Sequence, residues 1–488
     1  MKILHYILGI PPLRTGGLIR YAFDLAEAQQ AAGHAVLLLY PGEIRSGRGQ
    51  RICRARGTFS LPVYEILEPL PVSLVTGIAD PAAFMTAGDR QVFREFLLRE
   101  KPDILHLHSL MGLHRELLEE AKALQIPIVM TTHDYFGICP RTNLFRDGKI
   151  CPGPCGADCA ACCAEAEPLS TLIFRQSHFF AWSIRYPLLV RTKKALYRVK
   201  DLLLGRKKGR EEAAGEGAED RSENPPAESG SPALPSSADR KPAQAALYEK
   251  LSSYYRSELL LVDHFLYNSS VTRTVFEEQL GVLPGSILPG SHHDLTDRRK
   301  RRTYREEGPL LLGYFGYATD YKGFPMLLGV LDGLWEQQPG SFTLQIYTPE
   351  AFDRPYIQHR PPYRPEELET VYDRIDLLLV PSLWQETYGL VLAEALSFGV
   401  PVLACEQIGA ADLLRRFPGC GILIKPDPEA LAAALLPLLG HPGKLSACNR
   451  QICEAPFEFS YTAHAKAVEQ QYQTILQTLR KGSLSCVQ

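Results

Sequence analysis

The chain has no run of about 18 apolar residues, which argues against a membrane-spanning helix. Its opening, Met1 to Arg14, carries a short apolar run stopped by Pro11-Pro12. No small-residue cleavage site follows, so it reads as a first β-strand and not as a signal peptide. Charge is balanced: 53 Lys and Arg against 55 Asp and Glu leave a net charge of −2, which gives no reason to expect nucleic acid as a partner. Gly-x-Gly-x-x-Gly is missing between the first strand and the first helix, which disfavours a nicotinamide or flavin dinucleotide site. No internal repeat is evident beyond two similar α/β patterns. The remainder, 45% hydrophobic and 22% charged, is ordinary globular composition, and 488 residues suffice for two or three domains with a core each. A cytoplasmic setting is expected, with most of the twelve cysteines reduced or metal-bound.

Strand and helix patterns alternate through the first third. Ile3 to Leu8, Ala35 to Tyr40, Asp103 to His108 and Ile126 to Thr132 read as strands, with helices over Leu18 to Ala32 and Leu113 to Leu124. Phe265 to Asn268, Val271 to Leu280 and Ser286 to Leu288 close this domain, taken as residues 1–295. A polar and basic linker, Ser291 to Gly308, leads to a second α/β domain, 305–455. Its strands are expected at Leu310 to Phe315, Phe342 to Tyr347, Asp376 to Val380, Val402 to Ala404 and Gly421 to Ile424. The final segment, 456–488, reads as a helix over Ser460 to Leu479. Apolar strands alternating with helices imply doubly wound parallel sheets, with a cleft between them as the ligand site. Residues 205–245, rich in Glu, Ala, Gly, Pro and Ser, are expected to form a disordered insertion.

The most informative stretch runs from Pro381 to Leu403. A buried strand delivers Glu386 onto a loop, Gly389 lets the backbone turn, and Leu390 to Phe398 reads as a helix carrying Glu394. Amides at that helix start, Tyr388 to Leu390, suit a diphosphate, and an acid further in suits ribose hydroxyls. Glycines Gly16 and Gly17 join the first strand to the first helix; a close ligand approach and a plain tight turn both explain them. Lys322 follows the strand ending at Gly316, where an ammonium would offset diphosphate charge. His133, closing a strand in Thr-His-Asp-Tyr, points toward the cleft, as a sugar contact or as a structural hydrogen bonder. Asp134 would orient His133 or meet an acceptor. His106 and His108 share one face of the preceding strand and are read as packing or acceptor-side residues. His292 and His293 are read as hinge packing.

Taken together, Gly16-Gly17, Asp103 to Asp134, Lys322-Gly323 and the Glu386/Glu394 pair with its trailing Glu-Ala-Leu-x-x-Gly-x-Pro-Val resemble the retaining glycosyltransferases of family GT4, built on the two-domain GT-B fold. The resemblance implies a nucleotide-diphosphate sugar donor, UDP- or GDP-linked, held by the second domain. It implies Glu394 on the ribose, Lys322 on the diphosphate, Glu386 on the transferred hexose and His133 near its O6 side, with no metal in the transfer. The acceptor would be a glycan, a lipid-linked molecule or another hydroxyl, in cell-surface polysaccharide or glycoconjugate synthesis. The last helix commonly crosses back to the first domain in such proteins. The chain departs from the pattern at Tyr317, where the family often has Arg. That departure leaves a catalytically silent binding subunit open as an alternative, and a nucleotide-sugar epimerase shares the fold.

Six cysteines, Cys139, Cys151, Cys155, Cys159, Cys162 and Cys163, fall within 25 residues. Spacings of three and two suggest one tetrahedral zinc on Cys151, Cys155, Cys159 and Cys162, ordering a lid near His133. Scattered thiols are the plainer reading. Cys155-x3-Cys159-x2-Cys162 also matches the iron–sulfur triplet of radical enzymes, which would need a (βα) barrel. Downstream, Phe179 to Arg210 mixes aromatic and basic residues, as a helix on an anionic membrane face or a solvated helix packed on the domain would.

Overall fold

Short runs that are apolar on both faces can be buried on both only where helices cover both sides of a sheet. Two such sheets organise the chain. The computed structural model describes residues 1–45, 49–74, 76–154, 156–185, 237–348 and 350–485. The first half contains β1 (Lys2–Tyr6), α1 (Gly17–Ala31), β2 (Ala35–Pro41), β3 (Arg51–Arg54), β4 (Val63–Leu67), α2 (Arg90–Glu100), β5 (Ile104–Leu107), α3 (Arg115–Ala123) and β6 (Ile128–Thr131). A small hairpin, β7 (Phe145–Arg146) and β8 (Lys149–Ile150), precedes α4 (Gly156–Cys162), α5 (Leu169–Arg175), α6 (His178–Arg185) and α7 (Ser237–Leu259). Then come β9 (His264–Tyr267), α8 (Ser270–Leu280) and β10 (Gly285–Ile287). The strand order is β10-β9-β6-β5-β1-β2-β4-β3, parallel except for the β3–β4 pair.

The second half contains β11 (Leu310–Phe315), α9 (Phe324–Gln337), β12 (Phe342–Tyr347), β13 (Ile357–His359), α10 (Leu368–Asp373), β14 (Leu377–Val380) and α11 (Leu390–Ser397). It continues with β15 (Val402–Cys405), α12 (Ala411–Arg416), β16 (Ile422–Ile424), α13 (Pro428–Leu435), α14 (Ser446–Glu454) and α15 (Tyr461–Ser485). Its sheet runs β13-β12-β11-β14-β15-β16, all parallel. Strand order reverses at β1 in one sheet and at β11 in the other. Loops leaving neighbouring strands there diverge and open a crevice at the strand C-termini.

Helix α15 packs on the first sheet. Its Val468, Tyr472 and Ile475 share an apolar cluster with Ile3, Tyr21, Leu25, Ile104 and Leu266. The basic linker is strapped down rather than loose: Leu295 and Tyr304 are buried in the second core. Its arginines donate to carbonyls left over at helix ends, Arg302 to Tyr372 O and Ile375 O and Arg299 to Ile452 O and Ala455 O.

Two expectations change. Strands β3 and β4 and helix α2 were not anticipated. The insertion expected at 205–245 lies outside the described residues up to 236, but Ser237 onward is helical. Its alanine-rich end continues into α7, whose Tyr248, Leu251, Tyr255 and Leu259 are buried, and tertiary packing of one face holds such a helix. Residues 186–210 of the basic segment also lie outside the described residues. Among the described residues no helix is long and apolar enough to cross a membrane.

Candidate functional site

The second sheet supplies the charged side of the crevice. Lys322, on the loop after β11, places Nζ 2.6 Å from Glu386 Oε1, on the loop after β14. The same ammonium sits 5.5 Å from the Trp384 ring centre, a cation–π distance. Ser382 Oγ donates to the other Glu386 oxygen at 2.8 Å. Glu386 is thus held by two donors and keeps lone pairs for a ligand. Gly389 then adopts φ 92°, and no side chain caps the first amides of α11. A side chain at Gly389 would bring its Cβ within 2.8 Å of Ile408 Cγ2, so both the backbone and the space demand glycine. The amides at Leu390 and Val391 are left without a cap and offer donors of the kind that suit an anion at a helix start. Tyr388 is buried just before it, against Gly290. Glu394, in the second turn, accepts from Tyr372 Oη at 3.0 Å. His292 Nε2 lies 2.9 Å from the other Glu394 oxygen, an ion-pair distance without the angle of a hydrogen bond.

The first sheet supplies the facing side. Gly16 caps α1 at φ 129°, and nothing lies within 4 Å of where a Cβ would stand on Gly16 or Gly17. His133 follows β6, and burial lowers its imidazole pKa to about 3, so the ring is neutral. Burial raises the neighbouring Asp134 carboxyl to about 6, against a donated Phe136 amide at 2.9 Å. The two sides touch directly: Thr387 Oγ1 donates to His133 O at 2.9 Å, and Tyr135 Oη to Gln385 O at 2.7 Å. Ser269 and Thr272 both donate to Thr387 O at 2.8 Å. His133 and the loop bearing Glu386 are therefore stitched together across the halves.

Several residues of the site were not singled out from sequence for the parts they play. Ser382, Tyr372 and His292 are joined to the acids by contacts spanning 4, 22 and 102 positions. Only the first is near enough for local spacing to have suggested it. Thr319 Oγ1 and Trp384 Nε1, on the loops beside Lys322 and Glu386, are sealed polar atoms without a protein partner. Unpaired buried donors of this kind fit a loop that closes on a polar ligand. Gly316 and exposed Tyr317 start the same loop as Lys322.

The described members of the cysteine quartet are not drawn together. Cys155 lies outside the described residues, and among the described residues no three thiols of the segment lie within 4.8 Å of one another. Cys159 and Cys162 stand on helix α4 instead of a metal-binding knuckle, and Cys151 and Cys162 have protein partners. Cys151 Sγ donates to Gly153 O at 3.4 Å, and Arg141 donates to Cys162 Sγ at 3.6 Å. Cys151, Cys159 and Cys162, the described members, do not fit as three ligands of one ion. The iron–sulfur alternative also falls, because the chain forms two open sheets and not a (βα) barrel.

Residues 310–441 match the family model described as glycosyl transferases group 1, and residues 15–149 match glycosyltransferase family 4. The D-inositol 3-phosphate glycosyltransferase of Corynebacterium kroppenstedtii is 27% identical over 228 residues, 41% of this chain and 48% of that protein. The Rhodococcus jostii enzyme of the same name is 34% identical over 113 residues, 23% of this chain and 25% of that protein. The chain thus spans about half the length, or less, of the curated relatives it matches. Among solved structures, sucrose-phosphate synthase from Thermosynechococcus elongatus superposes with a TM-score of 0.52 at 14% identity, over 98% of this chain and 99% of that one. A glycosyltransferase from Rickettsia africae gives 0.54 at 13% identity, over 97% and 98%. An E. coli structure named for trehalose-6-phosphate gives 0.51 at 10% identity, over 97% and 99%. These likenesses establish the GT-B fold, two Rossmann-like domains facing each other.

Proposed function

We propose that this chain, which belongs to glycosyltransferase family 4, is a retaining hexosyltransferase that takes its sugar from a UDP- or GDP-linked donor. The observation that carries the reading is the Lys322–Glu386 pair beside an uncapped helix start, with Glu394 one turn further in and His133 facing it. A diphosphate meets the amides at Tyr388 to Leu390 and the Lys322 ammonium. Glu394, steadied by Tyr372 and His292, accepts from ribose hydroxyls. Glu386 accepts from hydroxyls of the sugar, and His133 meets its O6 side. The loops of Gly16-Gly17 and Gly316 leave backbone open to the phosphates or the acceptor. The E. coli structure of similar fold is bound with UDP-2-fluoro glucose, which favours uridine as the base.

In transfer, the bond from C1 to the diphosphate oxygen breaks as an acceptor hydroxyl bonds C1 on the same face. The acceptor proton passes to the departing oxygen. Negative charge grows on the diphosphate during that step, and a fixed cation stabilises it more than it stabilises the ground state. With Tyr317 in the place of the family's arginine, Lys322 carries that duty on its loop.

The acceptor is a hydroxyl of a glycan or of a lipid-linked molecule, in cell-surface polysaccharide or glycoconjugate synthesis. Exposed Phe174, Phe179 and Trp182 on α5 and α6 support the lipid-linked case. They precede a run with Arg191, Lys193, Lys194, Arg198 and Lys200, suited to anionic headgroups. The same reading puts the enzyme in the cytoplasm, at the inner membrane face.

A thermal-shift panel of UDP-, GDP- and ADP-sugars tests the donor assignment, because a ligand bound only by the folded state raises its melting temperature. Glu394→Ala is expected to lower the melt without ligand modestly, since Tyr372 and His292 lose their partner. It is also expected to abolish the shift with nucleotide sugar. A full ligand response in that variant overturns the assignment.

A further inference from the structure

His133 is one end of a buried chain of side chains that crosses the first sheet and ends on α15. His133 Nε2 lies 3.2 Å from His108 Nδ1, His108 Nε2 3.0 Å from His5 Nδ1, and His5 Nε2 2.7 Å from Gln29 Oε1. Gln29 Nε2 reaches Tyr472 Oη at 3.4 Å, Tyr472 Oη lies 2.6 Å from His106 Nδ1, and His106 Nε2 lies 2.8 Å from Thr131 Oγ1. Beside it, the Tyr21 hydroxyl lies 2.9 Å from His464 Nε2. Parallel register brings His5 opposite His106. The rings gather on the sheet face covered by α1 and α15.

Each link holds one proton, so one fixed end sets them all. The fixed end is the Gln29 amide, whose oxygen faces His5 and whose nitrogen donates to Tyr472. Tyr472 then donates to His106 Nδ1, and His106 donates from Nε2 to Thr131. On the other side the Gln29 oxygen accepts from His5 Nε2–H. His5 Nδ1 then accepts from His108, and His108 Nδ1 accepts from His133 Nε2–H. Burial keeps the imidazoles neutral, with His5 and His464 lowered to about 4 and His133 to about 3.

We propose that this network fixes the His133 proton on Nε2, so that Nδ1 meets the donor sugar as a hydrogen-bond acceptor and selects a hydroxyl there against a carboxylate. Nδ1 has no hydrogen-bond partner among the described residues and is not a sealed orphan, so it remains available to a ligand. Gln29, His5, His108, His106, Thr131 and Tyr472 are then positioning residues, some of them far from the sugar. The rival is a divalent cation, since one nitrogen each of His5, His106 and His108 lies within 4.8 Å of the others. Both nitrogens of each of those rings are already hydrogen-bonded to protein, which favours the network. The sugar-facing part of the proposal rests on the donor assignment above.

Two-bond ¹H–¹⁵N spectra of the full-length protein labelled in histidine read each tautomer directly, with His133→Gln assigning the His133 signals. His133, His108 and His5 are expected as single Nε2–H tautomers. Tyr472→Phe and Thr131→Val each interrupt the chain and are expected to give mixed tautomers at His133. In Tyr472→Phe, the preference for UDP-glucose over UDP should fall about fivefold by calorimetry, the worth of one neutral hydrogen bond, with UDP affinity unchanged. A wild-type His133 protonated on Nδ1 overturns the proposal. So does a single unchanged tautomer in both variants, or a stoichiometric metal ion whose removal alters the His5, His106 and His108 signals. If neither UDP nor a UDP-sugar binds, the donor assignment is what fails, and the spectra still judge the network.

Discussion

The two sheets share a topology but end in opposite chemistry. At the crevice edge of the first, His5, His106, His108 and His133 are held neutral by burial and bonded to one another. At the edge of the second, Lys322 pairs with Glu386 at 2.6 Å and His292 lies 2.9 Å from Glu394. The cause lies in what covers each edge. Helices α1 and α15 close over the histidines, and desolvation penalises the imidazolium. The second edge has an ion pair and an uncapped helix start instead, which sustain charge. A charged half suits a leaving diphosphate, and a neutral half suits hydroxyls, which need direction more than field strength.

The largest test of this contrast is Lys322→Ala. It should lower turnover by about 10²- to 10³-fold, the loss typical of removing one electrostatic stabiliser of a transition state. Steady-state transfer or donor hydrolysis measures it, and unchanged turnover removes the functional asymmetry between the halves.

A smaller effect is expected from the one acid on the neutral edge. Asp134 is raised by burial from 3.8 to about 6. The unfolded chain releases this proton near pH 4 while the folded protein keeps it to about pH 6. Wild-type stability therefore declines across that window and stays lower above it. Asp134→Asn removes the decline and should exceed wild type by about 3 kcal/mol at pH 8, with no gain at pH 4. Urea unfolding at both pH values checks this, and a gain independent of pH contradicts it.

The smallest is Tyr372→Phe, which takes one hydrogen bond from Glu394. Nucleotide affinity by calorimetry should weaken about fivefold, roughly 1 kcal/mol, with the fold intact. A larger loss would mean that Tyr372 touches the ligand itself.

Much of this arrangement was readable from local pattern. Leu310–Phe315 and Phe342–Tyr347 form strands with the expected bounds, because uninterrupted apolar runs between turn residues admit little else. Glu386, Gly389 and Glu394 fall where their spacing placed them, since one strand–loop–helix unit fixes all three. Cys151, Cys159 and Cys162 do not converge, because cysteine spacing alone does not say whether the backbone between thiols turns or coils into a helix. Strand β3 was missed because Arg-Ile-Cys-Arg at a sheet edge has too few apolar residues to announce itself. The start of α7 was missed because its composition looks disordered until a buried face further along anchors it.

Short-range physics, the alternation of apolar runs with turns and helix starts, was enough to reveal two nucleotide-type domains and the acids of one. The partners of those acids, the seam between the halves and the direction of protons around His133 came only with folding. Hydrogen bonds such as His5–His108, 103 positions apart, and His106–Tyr472, 366 apart, leave no periodic trace along the chain. They exist because parallel register and the return of the last helix bring distant residues to one buried face.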